Sequence, residues 1–448
     1  MPLKHLPRFA LTIAWITASA VQYGYGIAEL NSVSSSLMCT GTSPEQRGAL
    51  GLPSCVPLTD SQFGTVTSAY VVGGLVSSLS AGSMVERWGK TGTAVRAAVV
   101  VILGALAVSL GSSLVILVVG RILIGIACGI ATVLVPLYLR SVAPPAIAGS
   151  VGILTQISTN VGIFVAQGVS LPLSKAGTGQ WRFVPLVSVG LALLQILTAP
   201  LMPEAGPKDS TSRIFDTSDG EDEERAPLAR EEDPDAPRRK SDDDIPSFSV
   251  WEVLRSKDEA VRRPLYTLIL VMLFQQLSGI NAVMFYSTSI LTAVNPASAK
   301  TVSLLVTLVN LIMTFPAIYL VDRLGRRTLL FLSLLIMTVS TAVLGWSINT
   351  SHFYIASAFI MFFVVGFATG LGPVPFVLVG EMPPEEAKSA TASIAVATNW
   401  IANLAVGVGF LPLRDFLTSR SSGGSGTVFY VFTAFTALGT IVLARLLR

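Results

Sequence analysis

The chain has 448 residues, of which 51% are hydrophobic and only 13% are charged. Soluble domains carry about 25% charged residues, so this composition excludes a soluble domain and predicts a membrane protein with many spans. The net charge of +3 is small and no basic stripe with interleaved aromatic residues occurs, so we expect no nucleic-acid partner. With two His and three Cys we expect no metal site and no cofactor, and without a nucleophile–base pair we expect no enzyme.

Apolar segments recur along the chain, six on each side of a polar linker. Each can cross the hydrocarbon core, which takes about 20 residues, and each must be helical because lipid offers the backbone no hydrogen-bond partner. Segments 1 to 6 are predicted at 8–28, 61–85, 94–113, 115–139, 146–170 and 181–203, and segments 7 to 12 at 264–292, 300–321, 328–348, 353–379, 386–411 and 427–447. We therefore predict an all-α membrane protein with twelve transmembrane helices in two pseudo-symmetric six-helix bundles.

The polar linker divides the chain into three predicted units: 1–203, 204–263 and 264–448. Most of the 27 acidic residues lie in the linker, and its charges, Pro and Ser cannot bury a core, so we expect it to be largely disordered. Only its end, Phe248 to Leu254, has the pattern of a short amphipathic helix. We interpret the linker as a solvated connection, with a regulatory segment that binds a kinase or sorting partner as the alternative. Its candidate phosphorylation sites are Ser210, Ser212, Ser218 and Ser241.

Basic residues set the predicted orientation. They concentrate in the linker and in the loops after even-numbered segments, as at Arg87 and Lys90, and loops rich in basic residues face the cytoplasm. We therefore expect a multi-pass protein with cytoplasmic termini, in the plasma membrane or in a vacuolar or endolysosomal membrane. Cys39 and Cys55 share one loop on the opposite side, where a disulfide forms if that side is oxidising.

Neutral amides recur inside the apolar segments. The uncharged run from Pro264 to Leu291 in segment 7 includes two adjacent Gln residues and an Asn. Amides in hydrocarbon are costly unless they face a polar cavity or another polar group, and they both donate to and accept from hydroxyl groups. These segments therefore predict a pathway for a neutral, hydroxyl-rich solute. The alternative is that the amides only join helices to each other.

Three segments carry local signals of how the helices are shaped. In segment 5, Gln156, Asn160 and Gln167 are spaced i, i+4 and i+11 and therefore share one face. In segment 7, Gln276 and Asn281 lie about 140° apart on an ideal helix, so Gly279 must loosen the helix for them to meet. Segment 10 is expected to contain a hinge, with tight packing of small residues as the alternative. The residues that predict this hinge are Gly366, Gly370, Gly372, Pro373 and Pro375.

Two motifs and two shorter patterns carry a family resemblance. The motifs run from Gln275 to Tyr286 and from Asp322 to Arg327, and the patterns are Gly120-Arg121 in segment 4 and Gly372 to Phe376 in segment 10. On these residues the chain resembles the sugar-porter branch of the major facilitator superfamily, most closely the facilitative glucose transporters. The resemblance covers nearly the whole chain except the linker. It implies alternating access, in which the two bundles rock about a central sugar site.

The resemblance also implies which residues act. The substrate-binding residues would be Gln156, Gln275, Gln276, Asn281, Asn310, Phe376, Trp400 and Asn403. A gating charge clamp in the cytoplasmic turns, which holds the outward-open state, would contain Glu86, Arg87, Arg121, Asp322, Arg323 and Arg327. Two alternatives stay open: Arg121 snorkels to the inner membrane interface, and the rings of Phe376 and Trp400 belong to the packed core instead of stacking on a sugar.

Departures from the family pattern bear on the solute and on coupling. Segment 10 has Phe376 where the glucose transporters have Trp, and Ala368 where they have Glu, which favours fructose, another hexose or a polyol over glucose. Proton-coupled relatives carry an Asp at the position of Gly26, so we predict facilitative transport. Proton symport through Glu29 is the first alternative, against an interpretation of Glu29 as an interfacial acid exposed to the outer vestibule. A non-transporting sugar sensor or sorting factor that acts through the acidic linker is the second alternative.

Overall fold

The computed structural model describes residues 6–41, 43, 45–142, 148–202, 248–420 and 424–446. These residues are helical apart from loops and one isolated antiparallel bridge between Arg47 and Pro53. The part of the linker predicted to be disordered lies outside the described residues, and so do its four candidate phosphorylation sites. The prediction for the linker therefore applies to a region about which the structure makes no statement.

The helices fall into two sets, one on each side of the linker. The first set is α1 (Leu6–Ala28), α2 (Ser34–Leu37), α3 (Asp60–Trp88), α4 (Lys90–Leu110), α5 (Leu114–Val142), α6 (Ala148–Leu173) and α7 (Val184–Thr198). The second set is α8 (Val250–Arg255), α9 (Glu259–Leu277), α10 (Ile280–Thr292), α11 (Ala299–Leu324), α12 (Arg326–Asn349), α13 (Phe353–Gly366), α14 (Val374–Glu381), α15 (Glu385–Arg420) and α16 (Val428–Leu446). Every predicted segment corresponds to one helix, except that segment 7 is divided into α9 and α10 and segment 10 into α13 and α14.

Within the described residues, ten helical stretches are long and apolar enough to cross a membrane. The two remaining long helices, α1 and α6, fall outside that group because they carry more polar residues. Three of these, Gln22, Asn160 and Gln167, are buried, and α1 and α6 pack against each other. Their polar character therefore serves contacts inside the protein, and the twelve predicted segments are all present as helices.

The two ends of the molecule are distinguished by their loops. Because successive long segments run in opposite directions, the loop 38–59 lies at one end, which we call the disulfide face, and residues 202 and 248 lie at the other, which we call the linker face. Cys39 and Cys55 are bonded in the loop, with their Cα atoms 5.0 Å apart. The disulfide that the sequence left open is therefore present.

The end of the linker forms the short helix that the sequence predicts. Ser249 caps α8 by accepting a hydrogen bond from the backbone N–H of Glu252, and the Glu252 carboxylate accepts one from the N–H of Ser249. Val253 is fully buried against residues of α9 and α15, whereas Trp251 is exposed. This division into a packed side and an exposed side makes α8 amphipathic.

Packing within each set is extensive, and α3 lies along α5 while α12 lies along α16. The two sets meet where α3 packs on α15, α6 on α11 and α1 on α10. Hydrogen bonds between the sets cluster from mid-depth to the disulfide face, beginning with Asn160 and Thr314 and ending with the ion pair between Asp60 and Arg414. The bundles are thus closed against each other at the disulfide face.

Candidate functional site

Segment 7 is interrupted where the sequence predicted that it would loosen. The first helix, α9, ends at Leu277 and α10 begins at Ile280, with Gly279 at φ +88° between them. Residues other than Gly rarely adopt this left-handed backbone conformation. A Cβ at position 279 would also lie 2.8 Å from the Phe432 ring. The interruption brings Asn281 Nδ2 to 2.6 Å from Gln276 Oε1, so the predicted meeting of these two amides is confirmed.

Segment 10 is also interrupted, and Gln275 occupies the interruption. A π-helical turn, Phe367–Leu371, separates α13 from α14. In a regular helix the Leu371 carbonyl would accept from the N–H four residues on, but that residue is Pro375, which has none. Instead, Gln275 Nε2 donates to the carbonyl of Leu371 at 2.7 Å and to that of Gly372 at 3.1 Å. The broken segment that the sequence predicted therefore takes its missing hydrogen bond from α9.

Gln275 also contacts segment 11. The Nδ2 of Asn399 donates to Gln275 Oε1 at 2.5 Å, so a single buried carboxamide links α9, the break between α13 and α14, and α15. One turn further along α15, Asn403 is also buried, and its Oδ1 has no hydrogen-bond partner. Buried polar atoms are almost always paired, so this oxygen is an acceptor available to a ligand or a water.

A second group of amides joins the two bundles. Asn160 Oδ1, on α6, accepts from Gln156 Nε2 at 3.3 Å and from Asn310 Nδ2 at 3.2 Å. Asn160 Nδ2 donates to Thr314 Oγ1 at 2.5 Å, and both Asn310 and Thr314 belong to α11. Amides from the two halves therefore meet in the interior, and none of the predicted amides points into lipid as an isolated group.

The two aromatic residues predicted at the site occupy different environments. Trp400 is buried between the bundles, with ring centroids 6.3 Å from Tyr23 and 6.4 Å from Tyr70. Gly74 permits this approach, since a Cβ there would lie 2.4 Å from the Trp400 ring. Phe376 is 51% exposed on α14 and makes no described ring contact. Its role in stacking on a solute stays a prediction.

Glu29 and Arg121 form a buried ion pair. Both side chains are fully buried, and Arg121 Nη1 lies 2.5 Å from Glu29 Oε1 and 2.8 Å from the carbonyl oxygen of Gly26. The guanidinium carbon of Arg121 lies 4.9 Å from the centroid of the Tyr70 ring. The second oxygen of Glu29, Oε2, is buried and has no hydrogen-bond partner.

This pair corrects the interpretations of both residues. Arg121 lies two turns from the start of α5, near the disulfide face, so it neither joins a clamp at the linker face nor snorkels to that interface. Its partner is Glu29, so the interpretation of Glu29 as an interfacial acid exposed to the outer vestibule is wrong, while proton coupling through Glu29 stays a prediction. Burial of a cation within lipid is tolerated when a carboxylate and carbonyls surround it, as they do here.

The remaining clamp residues lie at the linker face. Arg87, Arg323 and Arg327 are exposed, and Arg323 lies against the ring of Tyr319. Arg326 pairs with Glu381 of the same bundle at 2.9 Å. The side chains of Glu86 and Asp322 are outside the described part of the structure. The clamp was predicted to form when the disulfide face is open, whereas the described state is closed at that face. The clamp therefore stays a prediction.

Sequence reasoning missed the polar contacts at the disulfide face. Asn31 Nδ2 donates to the Met284 carbonyl at 2.8 Å and to Ser287 Oγ at 2.7 Å, while Asn31 Oδ1 accepts from the N–H of Thr288 at 3.1 Å. Nearby, the buried side chain of Gln167 bonds to Ser32 of the first bundle and to Ser303 of the second. Asn31 and Ser32 follow α1 as isolated polar residues without periodicity. They become recognisable only when the folded chain brings Asn31 against α10 and Ser32 against Gln167 of α6.

Comparison with known proteins agrees with this geometry. Residues 11–447 match the family model described as "Sugar (and other) transporter". The chain is 29% identical to the Probable metabolite transport protein YBR241C of Saccharomyces cerevisiae, covering 94% of this chain and 88% of the relative. It is 30% identical to Facilitated glucose transporter protein 1 of Caenorhabditis elegans, covering 94% of this chain and 84% of the relative.

One solved structure shows the shared fold. The partially occluded inward-open conformation of the xylose transporter XylE from E. coli superposes with a TM-score of 0.73 at 19% identity, covering 98% of this chain and 99% of XylE. The likeness extends over both bundles. Together with the family match, it shows that the chain belongs to the sugar transporter family and has the major facilitator fold.

Proposed function

We propose that the protein carries a neutral sugar, a hexose or a related polyol, across a lipid bilayer by alternating access. The observation that supports this proposal best is the meeting of uncharged amides from both bundles, centred on Gln275 in one group and Asn160 in the other. Amides exchange hydrogen bonds with hydroxyl groups without trapping ions. The name of the C. elegans relative, a facilitated glucose transporter, agrees with a sugar as the solute.

The carrier cycle follows from the closed disulfide face. We propose that the linker face is cytoplasmic, that the rocking bodies are 1–203 and 264–448, and that 204–263 lets them move. In the described state the bundles are joined from Asn160 outward to Asp60, so solute exchange takes place from the linker face. The location is a plasma membrane or a vacuolar or endolysosomal membrane. Such a carrier needs no covalent chemistry, and we keep the prediction that it is not an enzyme.

Uptake into sealed proteoliposomes tests the proposal. A panel of labelled hexoses and polyols is offered to wild type, to Asn403→Ala and to the matched control Asn295→Ala, which lies in a loop. We expect saturable flux of at least one solute, a higher KM for Asn403→Ala because its unpaired oxygen is lost, and an unchanged control. Absence of flux for every solute would refute the proposal.

Phe376 provides the test of solute choice. Phe376 lies on α14 at the position where the glucose transporters that this chain resembles have Trp. About half of its surface is accessible. Phe376→Trp restores the larger ring, so we expect the ratio of glucose to fructose flux to rise. An unchanged ratio would place Phe376 outside the sugar path.

A second candidate function, proton-coupled symport, is favoured by the Glu29–Arg121 pair. A carboxylate that is fully buried beside one cation, with one oxygen unpaired, has room for a proton on Glu29 Oε2. Protonation would release Arg121, whose guanidinium lies over Tyr70, and the Tyr70 ring contacts Trp400. A change at the acid thereby reaches the amide site. Facilitative transport is the first expectation from Gly26, and this contact is the reason to test the alternative.

Accumulation against a gradient separates the two mechanisms. With a proton gradient, a symporter concentrates sugar in the vesicle and an ionophore abolishes that accumulation, whereas a facilitator only equilibrates the solute. If symport operates, Glu29→Gln abolishes accumulation but keeps sugar exchange. Glu45→Gln, an exposed acid on the same face, is the control. Equal flux with and without the gradient in the wild type would leave facilitation as the mechanism.

The remaining predicted role, a sensor or sorting factor that binds a kinase or sorting partner, depends on the acidic linker. Most of the linker lies outside the described residues, so no contact favours this role over transport. Deletion of 210–241 tests it directly, because flux that persists while a cellular phenotype is lost would assign the linker a signalling role. Loss of both would show instead that the linker is needed to assemble the carrier.

A further inference from the structure

Residues 29–33, which follow α1, contain both a member of the buried ion pair and the residue that contacts α10 of the second bundle. This stretch, which we call the gate segment, contains Glu29 of the buried ion pair and the residues Asn31 and Ser32. Asn31 makes three hydrogen bonds to α10 of the second bundle. These bonds must break when the bundles separate at the disulfide face, because the gate segment and α10 belong to different halves.

The disulfide loop begins immediately after the gate segment. The four residues of α2 follow the gate segment, and Cys39 then bonds to Cys55, 16 positions along the chain. Beside the disulfide, the backbone N–H of Val56 donates to the carbonyl of Leu37 at 2.8 Å. The chain that continues from the C-terminal end of the gate segment is therefore fixed to residues 55 and 56, where the loop runs back towards α3.

Two buried side chains hold this loop on the first bundle. Trp181 Nε1 donates to the carbonyl of Ser54 at 2.9 Å, and Arg182 Nη2 donates to that of Pro53 at 3.0 Å. The same guanidinium donates through Nη1 to the carbonyls of Ser109 at 2.8 Å and Gly111 at 2.6 Å, at the turn between α4 and α5. Arg182 is fully buried, so its hydrogen bonds are made away from water and are costly to lose.

All of these anchoring contacts stay within the first bundle, whereas the contacts of Asn31 cross to the second. When the halves move apart, the anchored gate segment should move with the first bundle and stay ordered. When they close, it presents Asn31 to α10 without first losing conformational freedom. A loop held by a cross-link has less entropy to lose on ordering than a free one, which favours the closed state.

We propose that the Cys39–Cys55 disulfide and Arg182 are positioning elements of the gate segment, and that reduction of the disulfide shifts the carrier away from the state closed at the disulfide face. The inference rests on the alternating-access cycle proposed above but not on the identity of the solute. A redox change at the disulfide face would thereby regulate transport without touching the sugar site.

Distance measurements between the bundles test this inference on the full-length protein in lipid nanodiscs. Fluorophores are attached through thioether bonds at Gln62→Cys on α3 and Thr418→Cys on α15, and single-molecule energy transfer reports the separated fraction with and without a reductant. We expect reduction to raise the ratio of separated to closed molecules by about five-fold or more, the lower end of ordinary coupling between two sites. No change on reduction would overturn the proposal.

Variants sharpen the same measurement. Cys39→Ser with Cys55→Ser should show the raised fraction without reductant and should not respond to it, whereas Cys128→Ser, at a buried free thiol, should respond as wild type does. Arg182→Lys keeps the charge but cannot reach every carbonyl, so it should shift the ratio in the same direction. A response to reductant that survives in the double Ser variant would also overturn the proposal.

The outcome is independent of the transport assay. Energy transfer needs no sugar, so an absence of flux would refute the proposed function while leaving this inference standing. Conversely, normal flux with an unchanged separated fraction would refute this inference alone. If the double Ser variant fails to fold, the reduction of wild-type protein still decides the question.

Discussion

The disulfide face and the linker face are held in different ways. At the disulfide face, Asn31 and Gln167 cross between the bundles with neutral hydrogen bonds. Two charged contacts also cross there: the Lys300 ammonium donates to Ser174, and Asp60 pairs with Arg414 at the edge. At the linker face, the described ion pair between Arg326 and Glu381 stays within the second bundle. Among the described residues, the disulfide face is therefore closed mainly by neutral hydrogen bonds with two charged contacts beside them, whereas the ion pair at the linker face does not join the bundles.

The difference suggests why the closed face is able to open. A neutral hydrogen bond contributes about 1 kcal/mol net, because water replaces the partner when the bond breaks. Several such bonds together hold the face closed. Each of them can still be replaced separately by a hydrogen bond to water as the face opens. A buried ion pair such as Glu29–Arg121 is costly to break, and it lies within the first bundle, where rocking does not require it to separate.

The largest effect on sugar flux is expected from Gln275, which lies midway between the two faces. Gln275→Ala removes the side-chain donor from the Leu371 and Gly372 carbonyls. It also leaves Asn399 Nδ2 with only the Met272 sulfur, 3.5 Å away. Each unpaired buried group costs about 1–3 kcal/mol, so we expect sugar flux to fall roughly 100-fold. Flux in proteoliposomes measures this, with Gln180→Ala, in the short 3-10 helix before α7, as the control. A fall of less than three-fold would show that Gln275 is not central to the cycle.

The next effect concerns the contact between the bundles. Asn160→Ala removes its hydrogen bonds to Asn310, Thr314 and Gln156, so the closed disulfide face loses part of its inner boundary. We expect about a ten-fold rise in KM or in the separated fraction, and energy transfer between bundles tells the two apart. Ser158→Ala on the same helix is the control. If neither quantity changes, Asn160 belongs neither to the solute site nor to the closure.

A smaller effect is expected at the edge of the disulfide face. Asp60→Asn removes the ion pair with Arg414, but both groups are partly exposed and Arg414 keeps its contact with Asp415. Exposed pairs contribute about 0–1 kcal/mol, so the closed fraction should change by no more than a few-fold, and the change should vanish in high salt. A large effect that persists in high salt would show that closure depends on charge after all.

The smallest effect is expected at the linker face. The hydrogen bonds from Ser249 hold the pKa of Glu252 below its ordinary value, so this cap stabilises α8 above the ordinary pKa of Glu and is lost as the pH falls through the lowered pKa. The protection factors of residues 250–255 against hydrogen exchange, which are corrected for the intrinsic pH dependence of exchange, should therefore fall at acid pH. Glu252→Gln should remove that fall. A fall that is the same in wild type and variant would place the titrating group elsewhere.

Much of the fold follows from patterns that repeat along the sequence. Apolar segments predicted the long helices to within a few residues, and the helical angle between Gln276 and Asn281 predicted the break at Gly279. Segment 11 was predicted too short, since α15 continues to Arg420. The reason is that Arg414 and Asp415 interrupt the apolar pattern, while a helix is able to continue past the hydrocarbon into the polar face.

The parts of the site that escaped prediction are single contacts between distant residues. Glu29 and Arg121 are 92 positions apart, and each alone is compatible with an interfacial location. Asn31 pairs with residues more than 250 positions away. No periodicity encodes such pairs, because they depend on how complete helices pack. The amides at 156, 275 and 310 were predictable because several polar groups in apolar segments must find each other or a polar solute.

The side-chain support at Leu371 has a consequence for motion. Most helix carbonyls are held by a backbone N–H that cannot leave without unwinding a turn, but this one is held by the tip of Gln275. A small rotation of one carboxamide would free the carbonyl, and the π-helical turn beside it already stores an extra residue. Segment 10 is thus able to change its bend by exchanging the side-chain hydrogen bonds of Gln275 for others, without unwinding a helical turn. Each exchange costs about 1 kcal/mol net where water or the solute replaces the partner.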